Sequence, residues 1–151
     1  ISLPCPGLAE MVEQGLFDGP VVDAYLQDLF LPFRYCGVEY IVLGCTHYPF
    51  LRRAIARNFG RPVAIIDGSE GTARQLRRQL AAKDLLTQRT GRGTVTFQNS
   101  LPEKLAMSQT LFAMDYCPPG PAASGWPGFS SNGYILPEYS LESRKKCLVF
   151  S

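Results

Sequence analysis

Histidine and tryptophan each occur once in this chain of 151 residues, and net charge is nearly absent: 15 Lys and Arg against 13 Asp and Glu leave a formal +2. So small an excess, carried by scattered arginines, gives no reason to expect nucleic acid as a partner. No apolar run approaches the roughly 20 residues a bilayer-spanning helix needs, so no membrane is expected either. No signal peptide is visible and the first residue is Ile1, so the chain reads as processed or as a piece of something longer. Disulfides are disfavoured. Cys5, Cys36, Cys45, Cys117 and Cys147 are odd in number and irregular in spacing, and reduced thiols in a cytosol are the expectation. Cys36, Cys45 and His47 lack both a fourth ligand and zinc-site spacing, so no metal is expected.

With 46% hydrophobic and 19% charged residues, the chain has the composition of a globular domain with a sizeable core. Leu8, Met11, Val12 and Leu16 recur at helical spacing. A second helix is expected from Pro20, with Val22, Leu26, Leu29 and Phe33 on one face and Pro32 ending or kinking it. "VEYIVLG" is β-branched with little alternation, as in a strand buried on both faces of a parallel sheet. "PFLRRAIARNF" is the next helix, with Leu51, Ile55 and Phe59 on one stripe. The pattern then repeats: strand "PVAIID", turn "GSEG", helix "TARQLRRQLAAKDLL", strand "GTVTF" and helix "SLPEKLAMSQTLF", with a capping box from Ser100 to Glu103. Strands alternating with helices imply an α/β fold with a doubly wound parallel sheet. From residue 116 to 151 the chain turns rich in Pro, Gly and Ser and shows no period. It is expected to be a disordered or weakly docked tail after a folded portion at 1–115.

One stretch concentrates chemistry. In "YIVLGCTHYPFLRRAI", an apolar strand ends at Gly44, and Cys45, Thr46 and His47 follow just before a helix that Pro49 would open. Functional groups of α/β sheets gather at the carboxyl ends of strands. A helix N-terminus offers unpaired N–H groups and partial positive charge, which favour thiolate over thiol. The same groups, with the Thr46 hydroxyl, suit a substrate carboxylate. Cys45 is therefore a candidate base or nucleophile beside an anion cradle. The residues alone also allow a blander alternative, a small buried cysteine beside a surface histidine.

"VLGCTHYPFL" resembles the second cysteine motif of bacterial glutamate racemases, in the Asp/Glu racemase superfamily. "CPGLAEMVEQG", "IIDGSEGTARQL" and "VTFQNSLPEKLAMSQTLF" resemble further segments of that family, so the likeness runs from about Ser2 to Phe112. The order Gly68-Ser69 departs from the commoner Asp-Ser-Gly arrangement. The resemblance implies cofactor-independent racemisation of glutamate, supplying D-glutamate for peptidoglycan in the cytoplasm. In this chemistry, two cysteines work on opposite faces of the α-carbon, one as thiolate base and the other as thiol acid. By the same resemblance Cys45 matches the second catalytic cysteine, His47 a residue assisting it, Thr46 a substrate contact and Glu13 a supporting glutamate. Cys5 matches a structural cysteine, and the intact enzyme is expected as a homodimer. The family's Cys-Asn-Thr motif, which carries the other thiol, has no counterpart here. The chain thus resembles the carboxyl-terminal part of a two-domain racemase, expected to be inactive alone. The competing expectations are another superfamily racemase, or a non-catalytic α/β fragment or binding module.

Overall fold

A computed structural model of the protein describes residues 1–91, 93–114 and 146–151. These residues form two compact units, Ile1–Ile66 with the last strand, and Asp67–Met114.

The first unit is built on a sheet. In chain order its elements are β1 (Ser2–Leu3), α1 (Leu8–Glu13), α2 (Pro20–Phe30), β2 (Val38–Leu43), α3 (Arg52–Phe59), β3 (Ala64–Asp67) and β4 (Lys146–Phe150). The strand order is β1-β4-β2-β3, and β4 runs parallel to both neighbours. The architecture is thus α/β with a four-stranded parallel sheet.

The helices form where the apolar spacing requires. Val22, Leu26 and Phe30 of α2, four residues apart, are fully buried or nearly so. Phe30 joins the expected stripe where Leu29 and Phe33 are only partly covered. Pro32 lies in a 3-10 turn, Leu31–Phe33, that ends α2. Leu51, Ile55 and Phe59 all point into the core, and Gly60 closes α3 at φ 76°, a left-handed conformation suited to glycine. Arg57 pairs with Asp18 and Asp23, and the Asn58 side chain bonds Asp23 and Gln27, so polar contacts tie α3 to α2 and the residues just before it.

β4 overturns one expectation. The segment from residue 116 onward was expected to be a tail, yet Lys146–Phe150 is an inner strand with hydrogen-bonded neighbours on both sides. Ile41, Val42 and Leu43 pair with Leu148, Val149 and Phe150, and Ser2 and Leu3 pair with Val149 and Phe150. Leu148 and Phe150 are fully buried. The ordering entropy of these few residues is offset because both backbone edges and two large side chains leave water together. The rest of that segment, including Cys117, lies outside the described residues.

The second unit holds α4 (Ser69–Ala82) and α5 (Leu105–Ala113), the latter preceded by a 3-10 turn at Pro102–Lys104. Ser69 N–H donates to Asp67 Oδ1 at 2.8 Å where α4 begins. The expected strand "GTVTF" does not form: among the described residues 93–97 has no ladder partner, and Val95 is exposed. A short alternating run does not become a strand without a neighbour to take its N–H and C=O groups. Phe97 instead meets Phe112 edge-on, at 5.4 Å between ring centroids. The expected capping box is also absent, since no side chain caps the turn after Ser100. Asn99 Oδ1 accepts the Leu101 N–H instead, at 2.9 Å.

Candidate active site

β2 ends at Leu43, and the chain crosses from the sheet to α3 through Gly44, Cys45, Thr46 and His47. A 3-10 turn, Tyr48–Leu51, then leads into α3. Pro49 occupies the start of that turn, where a missing N–H is harmless. Leu51 and Tyr48 are buried and anchor the turn, leaving Cys45 and His47 half-buried and Thr46 exposed.

Three side chains from two places in the sequence form a line. Cys45 Sγ lies 3.6 Å from His47 Nδ1, and His47 Nε2 lies 2.8 Å from Glu13 Oε1 at the end of α1. Both ring nitrogens of His47 are thus engaged. Among the described residues no group of three or more His, Cys, Asp and Glu side chains is arranged to hold a metal ion.

The electrostatics follow from this line. Partial burial pushes the Cys45 thiol up, but the main-chain N–H of His47, the His47 ring and the N–H of Tyr48 outweigh it. The thiol is held below its ordinary value. Glu13 is the main cause raising the affinity of His47 for a proton; burial opposes it and Cys45 reinforces it. An imidazolium between a carboxylate and a sulfur favours thiolate, and the thiolate favours imidazolium. Cys5, by contrast, is buried, donates its S–H to the Leu3 carbonyl at 3.2 Å, and is pushed up to about 11, first by burial and then by Cys45. Of these two thiols only Cys45 is shifted toward the thiolate.

The structure therefore brings Cys45, His47 and Glu13 together and sets Thr46 beside them on the same turn. Sequence reasoning missed Phe150 and the close approach of its carbonyl to Gly44. The Gly44 N–H donates to the Phe150 carbonyl at 3.0 Å, and a Cβ on Gly44 would stand 2.7 Å from that oxygen. Only glycine lets β4 come so close to the Cys45 turn. The short apolar run "CLVF" was the one local signal for this strand.

A parallel α/β sheet with a thiol held below its ordinary value at the carboxyl end of an inner strand, backed by histidine and glutamate, fits the class of racemases. No protein-family profile matches the chain. Individual proteins do, and through them the chain is a relative of the glutamate racemases. It is 44% identical over 114 residues to a glutamate racemase of Clostridium botulinum, a match covering 74% of this chain and 44% of that protein. It is 39% identical over 101 residues to one from Clostridium kluyveri, covering 67% of this chain and 39% of the relative. The glutamate racemase of Thermus thermophilus, solved with β-chloro-D-alanine, superposes with a TM-score of 0.56 at 38% identity, over 71% of this chain and 41% of that one. That of Francisella tularensis, solved with D-glutamate, gives a TM-score of 0.51 at 29% identity, over 58% of this chain and 32% of that one. The chain thus spans less than half the length of these relatives.

Proposed function

We propose that this chain supplies one wall of a glutamate racemase, interconverting L- and D-glutamate without a cofactor. The observation that carries the reading is the Cys45–His47–Glu13 line at the end of β2. In one direction the Cys45 thiolate takes the α-proton, so an S–H bond forms as the C–H bond breaks. The carbanionic carbon is then protonated on its opposite face by a second thiol. In the other direction Cys45 donates its proton as the acid. His47 stabilises the thiolate as imidazolium, Glu13 keeps His47 charged, and Thr46 with the N–H groups of the turn receives a substrate carboxylate. The Francisella relative, solved with D-glutamate, supports this substrate class.

The racemase-like part is 1–115, and β4 adds a strand to its sheet. This chain alone is inactive, because one thiol cannot reach both faces of an α-carbon within hydrogen-bond distance. In the cell the intact enzyme works in the cytoplasm as a homodimer and feeds D-glutamate to peptidoglycan, maintaining the cell wall and cell shape. The test is to incubate the purified chain with L-glutamate and assay D-glutamate, alone and with the remaining portion of a related racemase added. Turnover only in the mixture, lost with Cys45→Ala, is the expected result. Turnover that survives Cys45→Ala refutes the assignment. Alkylation against pH checks the thiol itself: Cys45 should react fastest of the cysteines and titrate below an ordinary thiol.

A further inference from the structure

The residues that shape the Cys45 turn do not all lie near it in sequence. Phe150 touches the turn at both ends. Its carbonyl accepts the Gly44 N–H at 3.0 Å, immediately before Cys45. Its ring packs against Tyr48 at 6.1 Å between centroids and 74° between planes, and the Tyr48 main-chain N–H is one of the groups that hold the Cys45 thiol below its ordinary value. The ring is also locked from behind by Phe30, at 5.9 Å, and is fully buried. One residue on, Ser151 accepts the Cys5 N–H at 3.3 Å and donates its own N–H to the Leu3 carbonyl at 3.1 Å. The carboxyl end of β4 therefore stitches the turn carrying Cys45 to the turn carrying Cys5.

We infer that Phe150 is a positioning residue for the Cys45–His47 pair: its carbonyl and ring fix the turn so that N–H groups point at the Cys45 sulfur and the His47 ring stays between Cys45 and Glu13. The inference rests on the reading of Cys45 as the working thiol. A strand remote in sequence then tunes the acidity of the site and is more than filler under it. A core residue that merely fills space would destabilise the protein when trimmed and leave the sulfur and imidazole unchanged in the molecules that remain folded. A positioning residue changes both.

The experiment reads the pair rather than turnover, so its outcome is separable from that of the racemisation proposal. His47 is the chain's only histidine, so one imidazole signal reports its titration by NMR, and mass spectrometry assigns Cys45 alkylation. Phe150→Ala, Phe150→Leu and Leu26→Ala are compared in the full chain under conditions where Cys5 stays protected, which marks the folded state. Leu26 is equally buried, on α2, and serves as the control for lost packing. Phe150→Ala should move the pH midpoint of Cys45 alkylation up and the His47 midpoint down, slowing alkylation at pH 7 several-fold. Phe150→Leu should keep most of the native behaviour, and Leu26→Ala should leave both midpoints in place. If Phe150→Ala does not fold, Gly44→Ala, which pushes the Phe150 carbonyl away with a single methyl, must produce the same shifts. Unchanged midpoints, or equal shifts in Leu26→Ala, overturn the inference.

Discussion

Replacing Glu13 with Gln removes one charge from the site while keeping its shape and an acceptor for His47. Two opposite unit charges 2.8 Å apart attract by about 1.5 kcal/mol in bulk water. The His47 and Glu13 side chains are 31% and 44% exposed, so solvent screening and the entropy of holding Glu13 reduce the pair to about 0.2–1 kcal/mol. The sign with pH is fixed by linkage. The folded state raises the proton affinity of His47, chiefly through Glu13. The stabilisation is therefore fully present below the ordinary histidine value and is lost as pH rises through the raised one. Urea unfolding at pH 5.5 should show Glu13→Gln less stable by that amount, and at pH 9 the difference should vanish. High salt should shrink it at pH 5.5. The His47 signal should titrate at lower pH in the variant, and Cys45 alkylation at pH 7 should slow, because the sulfur loses part of its imidazolium partner. An equal stability difference at both pH values, or an unmoved His47 titration, would refute the relay from Glu13 through His47 to Cys45.

Removing residues 146–151 should unfold the first unit or lower its thermal midpoint by well over 10 °C. Leu148 and Phe150 are fully buried and worth about 1.5–3 kcal/mol each, before the ladders on both sides are counted; a midpoint within a few degrees of the full chain would mean that β4 contributes nothing. Cys5 predicts a weakness at alkaline pH. Its thiol is raised from an ordinary 9.0 to about 11, so stability is intact below pH 9 and falls as pH rises through 11, by up to about 2.7 kcal/mol at 1.36 kcal/mol per unit. Cys5→Ala should flatten that part of the pH–stability curve, and an unaltered slope would show that Cys5 ionises freely.

Much of this protein was determined by its sequence alone. Helices α1, α2 and α3 follow from apolar residues at helical spacing, since a helix buries one stripe whatever lies opposite. β2 follows from its β-branched run, and the turn after it from Gly44 and Pro49. Cys45, Thr46 and His47 had to share that turn because they are consecutive. The tertiary structure alone decided the rest. The 2.8 Å contact between Glu13 and His47 joins residues 34 apart, through the packing of α1 against the turn. The expected strand at 93–97 has no partner among the described residues, and "KCLVF" became an inner strand because β1 and β2 leave a strand-wide gap between them. A helix closes its hydrogen bonds within four residues, and its signal is local. A strand closes them on a neighbour that may lie anywhere in the chain, here more than 100 residues away from Gly44, so only the folded sheet shows which segment fills the place and which residue holds the thiol's turn.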